Sequence, residues 1–156
     1  MMKKPSGYTL IRADEVMRED LPRPVVFLGG SCRGRDWRLD FYQRFEKTPV
    51  TFINPRRDNF VDPELDPSAH ARQVAWEREA LTQCDIAVFW LGEGLTNQAS
   101  RVEIGYALGM EKPTLVGADD GFLGLEHLSA FSGLVLSKSP DGLMNRFASV
   151  LSSYHQ

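Results

Sequence analysis

The chain has 156 residues, 42% hydrophobic and 25% charged, which suits one globular domain and argues against a disordered, collagen-like or disulfide-scaffold protein. Eighteen Lys and Arg against 21 Asp and Glu leave a formal charge of −3, so no chain-wide basic footprint for a nucleic acid polymer exists. Cys32 and Cys84 stand far apart, without neighbours at zinc spacing; free thiols in a reducing, cytoplasmic setting are expected, with no metal site.

In chain order, Met1 to Tyr8 is basic and polar and does not read as a signal peptide. Residues 1–23 are read as an N-terminal extension in which Tyr8–Arg12 forms an edge strand, and 24–156 as a single α/β domain. Val25–Leu28, closed by Gly29-Gly30, reads as a strand buried on both faces. Trp37, Phe41 and Phe45 recur every four residues and predict a helix over about 36–46. Pro49–Ile53 is a second strand, stopped by Asn54-Pro55 and followed by a long loop, Arg56–Ser68.

A helix follows over Ala69–Thr82, with Val74 and Leu81 marking its apolar stripe and Glu77 beside it, one turn on from Gln73. Asp85–Leu91 is the clearest strand, and no apolar run is long enough to span a membrane. A polar loop, Gly92–Ala99, leads to a helix over Ser100–Met110 with Val102, Ile104, Ala107 and Leu108 as its apolar positions. Strand Pro113–Val116, a short helix Leu123–Phe131, a weak strand Leu134–Leu136 and a helix Pro140–Ser152 complete the pattern. Short apolar strands alternating with helices imply a three-layer sandwich around a mostly parallel, five-stranded sheet, flavodoxin-like or Rossmann-like.

In such sheets ligands bind beyond the carboxyl ends of the strands, where strand order reverses. That rule points to Gly29-Gly-Ser-Cys-Arg-Gly-Arg-Asp36, whose glycines admit close approach and whose Arg33 and Arg35 suit a phosphate or carboxylate. The same run also reads as a tight turn with solvated arginines; it is neither a P-loop nor a dinucleotide fingerprint. Asn54-Pro-Arg-Arg-Asp58 reads as a turn with a solvated arginine pair, with a ligand role as the alternative.

Glu77 and Glu103 flank the mouth of the Asp85–Leu91 strand, and paired carboxyls of unlike pKa serve acid, base and nucleophile roles at glycosidic bonds. Trp76 beside Glu77 favours desolvation and a raised pKa. Ser100-Arg-Val-Glu103 also spells a capping box, the commoner reading on spacing alone. The two readings can coexist, since a carboxylate in a first helical turn is held ionised by the dipole. His70, His127 and His155 are scattered, and Cys32 lacks a local His partner, so neither type suggests a nucleophilic site. Trp37, Trp76 and Trp90 read as packing, with a base-stacking role for one of them as the alternative.

Taken together, Val26-Phe-Leu-Gly-Gly-Ser31 with Arg33-Gly-Arg-Asp-Trp37, Asn54-Pro-Arg-Arg57, Gln73-Val-Ala-Trp-Glu77, Leu81–Asp85 and Val102-Glu-Ile-Gly-Tyr-Ala107 resemble the nucleoside 2-deoxyribosyltransferase-like superfamily. That superfamily includes the 2′-deoxynucleoside 5′-phosphate N-hydrolases, and the resemblance runs over Val25–Val116. It implies an enzyme that cleaves or exchanges the N-glycosidic bond of a (deoxy)nucleoside or its 5′-monophosphate, without a cofactor. It implies Glu103 as the nucleophile and Glu77 as the acid that protonates the leaving base, where the classical enzymes carry Asp. Phe27, Gly29, Gly30, Ser31, Arg33, Arg35, Asn54, Arg56 and Asn97 are the substrate-binding candidates.

Phe27 stands where the transferases have Tyr, and Asn97 near a position where they have Asp. The loop Gly30–Arg35 looks more like the phosphate-holding loop of the N-hydrolases. A homo-oligomer is also implied, with Phe122, Phe131 and Tyr154 serving either an interface or the core. The alternative function is a nucleotide-binding or sensing module of the same fold that has lost catalysis. A flavin carrier is disfavoured because no loop offers an acidic and aromatic frame.

Overall fold

A computed structural model describes residues 6–57, 62–92 and 97–155. Strands β1 (Thr9–Arg12), β2 (Val25–Gly30), β3 (Thr51–Asn54), β4 (Ile86–Leu91) and β5 (Thr114–Ala118) form one sheet in the order β1-β3-β2-β4-β5. Every pairing is parallel, for example Val26 with Ile86 and Leu91 with Ala118. Helices α1 (Arg38–Arg44), α2 (Pro67–Gln83), α3 (Gln98–Gly109), α4 (Leu125–Ser132) and α5 (Pro140–Tyr154) connect and follow them.

Strand residues alternate between two cores, as the pleat requires. Phe27, Ile53 and Phe89 pack with Leu81, Ile104 and Ala107 from α2 and α3. Val26, Leu28 and Phe52 pack with Trp37 and Phe41 at α1 and with Phe147 of α5. Helices therefore cover both faces, giving the three layers and explaining why β2 and β4 are almost wholly apolar.

The segment Leu134–Leu136 is not a strand. Only an isolated bridge, Gly117 to Ser137, joins that region to β5; Val135 is exposed, so nothing buries a second face there. Helix α2 starts earlier than its apolar pattern suggests, because Asp66 caps it by accepting a hydrogen bond from Ala69 N at 3.0 Å, with Pro67 in the first turn. The fully buried residues of α2 are Ala80 and Leu81 at its C-terminal end, whereas Val74 is exposed. Val102 of α3 is likewise exposed, and Ile104 and Ala107 carry that helix's contact with the sheet. The first turns of α2 thus pack less deeply than the last, and a cavity lies beside them.

Candidate active site

Strand order reverses between β2 and β4, and the chain leaves both strands at the same edge of the sheet. Gly30 lets the two strand ends lie close together: its φ is +108°, and a Cβ there would lie 2.1 Å from the Trp90 carbonyl oxygen. Beyond that edge lies a cavity of about 630 Å³ between the glycine loop, the Asn54–Arg57 turn and the first turns of α2 and α3. Its walls carry Glu77 and Glu103 together with Gly30, Arg33, Arg56 and Arg57.

Helical periodicity explains the convergence. His70, Gln73, Val74 and Glu77 form one stripe of α2, and Ala99, Ser100 and Glu103 one stripe of α3. Gln73 Nε2 donates to Glu77 Oε1 at 3.3 Å.

The capping box does not form. Helix α3 begins at Gln98 after Asn97, whose left-handed φ of 46° turns the chain into the helix without a side-chain cap. Glu103 therefore sits in the second turn, beyond the reach of the N-terminal backbone groups, and the dipole does not hold it ionised. Burial pushes its carboxyl up to about 8, the negative charge of Glu77 adds to the rise, and Arg38 opposes it. Burial also raises Glu77, against the hydrogen bond from Gln73 and the charges of Arg57 and His70. The two carboxyls are thus electrostatically coupled, and both effects favour the protonated form of Glu103.

This proton also affects stability. Glu103 ionises at about 8 when folded against 4.5 ordinarily, so its favourable contribution is complete below 4.5 and lost as pH rises through 8.

The other candidates separate into two groups. Gly30, Arg33 and Arg56 line the cavity. Phe27 is fully buried in the core against Phe89. Gly29 is needed for packing, since a Cβ there would meet the Phe89 ring at 2.5 Å.

Ser31 is buried and ties the loops together, accepting from Gly92 N at 2.6 Å and donating to Asn97 Oδ1 at 3.3 Å. Arg35 forms a two-pronged pair with Asp40 at 2.8 and 2.6 Å; with Ser31, Arg33, Trp37 and Trp90 it borders a separate pocket of about 290 Å³. Asn54 is buried and accepts from Arg56 N at 2.9 Å, shaping the turn. Residues 93–96 of the Gly92–Ala99 loop and 58–61, including Asp58, lie outside the described residues, as do Met1–Pro5.

Two further arginines matter beyond the substrate-binding candidates: Arg38, and Arg57 of the Asn54–Asp58 segment. Arg38 is fully buried and donates to the carbonyls of Leu28 at 2.8 Å and Ser31 at 3.1 Å, with Asp36 3.5 Å away. Its signal was a charge between Trp37 and Phe41, on the apolar side of an amphipathic run. Arg57 pairs with Asp14 and lies over the Trp76 ring, 5.7 Å from its centroid. Trp76, in turn, donates Nε1–H to the Glu15 carbonyl at 2.7 Å.

Trp37 and Trp90 are buried in the core, and both cysteines are free, Cys32 exposed and Cys84 buried. Among the described residues no three His, Cys, Asp or Glu side chains are grouped to hold a metal, and no helix is long and apolar enough to cross a membrane.

The family model described as nucleoside 2-deoxyribosyltransferase like matches residues 23–122, and the chain belongs to that family. No curated protein matches the chain.

Proposed function

We propose that this family member cleaves or exchanges the N-glycosidic bond of a (deoxy)nucleoside or its 5′-monophosphate. The observation that carries the reading is the pair of coupled carboxyls, Glu77 and Glu103, on one cavity at the reversal point of the sheet.

Glu103 attacks the anomeric carbon as the C–N bond breaks, and Glu77 delivers a proton to the departing base. The resulting glycosyl ester on Glu103 passes to water or to a second base, whose proton returns to Glu77. Burial and the Glu77 charge favour a proton on Glu103, so attack requires that proton to move toward Glu77. Positive charge developing on the sugar ring favours the ionised Glu103 and drives the transfer.

The test is base release from a panel of nucleosides and nucleoside monophosphates, followed by chromatography. Turnover is expected with at least one, falling on the order of 10³-fold or more in Glu103→Ala. No release from any substrate, or an unaffected Glu103→Ala protein, contradicts the reading.

One observation favours a second reading. A carboxyl neutral up to about 8 is a hydrogen-bond donor, suited to a nucleotide-binding or sensing module without turnover. Tight binding with no base release distinguishes it.

A further inference from the structure

We propose that the cavity seats an acid group of its ligand, a phosphate monoester or a carboxylate, on the Nε–Nη2 edge of Arg57. The side chain of Arg57 is only 12% exposed, and Asp14 engages Nη1. Nε and Nη2 are buried and have no partner. A guanidinium cannot shed its proton, and unpaired buried donors on a charged group are costly. These two N–H groups point the same way along one edge, the fork that grips two oxygens of a carboxylate or phosphate.

The surroundings are consistent with an arriving anion. Arg57 lies on the wall of the cavity that holds Glu77 and Glu103, with Arg56 beside it and Arg33 also on the lining. Asp14 already engages Nη1, and Glu77, whose carboxyl feels the Arg57 charge, accepts from Gln73 on one oxygen. The Trp76 ring lies under the guanidinium, within cation–π range.

This inference rests on the cavity being the substrate site and adds the charge of the substrate. It places the anion on the turn after β3, not on the Gly30–Arg35 loop.

The experiment is thermal denaturation of the full-length protein with inorganic phosphate, 2-deoxyribose 5-phosphate or orotate, each against sodium chloride of equal ionic strength. At least one acid is expected to raise Tm saturably at millimolar concentration. Arg57→Met should weaken that binding about tenfold or more, and Arg57→Lys, which keeps the charge but not the fork, should recover only part of it. A larger effect of the sugar phosphate assigns a phosphate ester; a larger effect of orotate assigns a carboxylate on the base.

The proposal is overturned if no acid stabilises beyond the salt control, or if both variants bind like the wild type. Acid binding without base release would sink the enzymatic reading and leave this site standing. Base release from neutral nucleosides without acid binding would do the reverse.

Discussion

The loops that leave β2 and β3 read alike in sequence, each a polar, arginine-bearing run after a buried strand, yet their hydrogen bonds are spent differently. After β2, Arg38 is satisfied by the Leu28 and Ser31 carbonyls, Ser31 by Gly92 and Asn97, and Arg35 by Asp40. After β3, Asn54 folds the turn, but Arg57 keeps two buried donors unpaired. The glycine loop is therefore chiefly scaffold and the arginine turn carries the open valence. Polar density in a loop shows that hydrogen bonds must be made, and only the fold shows with whom.

The largest effect that sharpens this contrast is Arg38→Met. It removes the Arg38 donors from the Leu28 and Ser31 carbonyls, leaving Ser31 only the Trp37 Nε1–H, and should cost about 2–4 kcal/mol in urea denaturation. A loss below about 1 kcal/mol would break the comparison, because the glycine loop would then not depend on its internal bonds.

Arg57→Met sits at the other end. It removes unpaired donors while keeping an apolar stem over Trp76, so stability should stay within about 1 kcal/mol of wild type while the acid-binding response is lost. A large loss of stability would make Arg57 a scaffold residue like Arg38.

Much of the fold was legible because strands covered on both faces must be apolar throughout. Val25–Leu28 and Asp85–Leu91 announced β2 and β4 for that reason. Tyr8–Arg12 showed as an edge strand, and β1 pairs with β3 at the sheet's margin. Val74 and Val102 misled because periodicity marks a helix face without saying whether the sheet, a cavity or solvent lies opposite.

Ser100-Arg-Val-Glu103 misled because Asn97, able to adopt a left-handed conformation, starts the helix a turn earlier. The carboxyl pair was legible from position on two helices at one sheet edge. Its coupling was not, since that depends on how deeply both groups are desolvated.

That coupling is the centre of the account, and a ¹³C NMR titration of the glutamate carboxyls measures it directly. Glu103 should titrate near 8, and in Glu77→Gln its pKa should fall, because the neighbouring negative charge is gone. A Glu103 carboxyl that titrates near its ordinary 4.5, or one indifferent to the residue at position 77, would contradict the shared cavity on which the proposed chemistry stands.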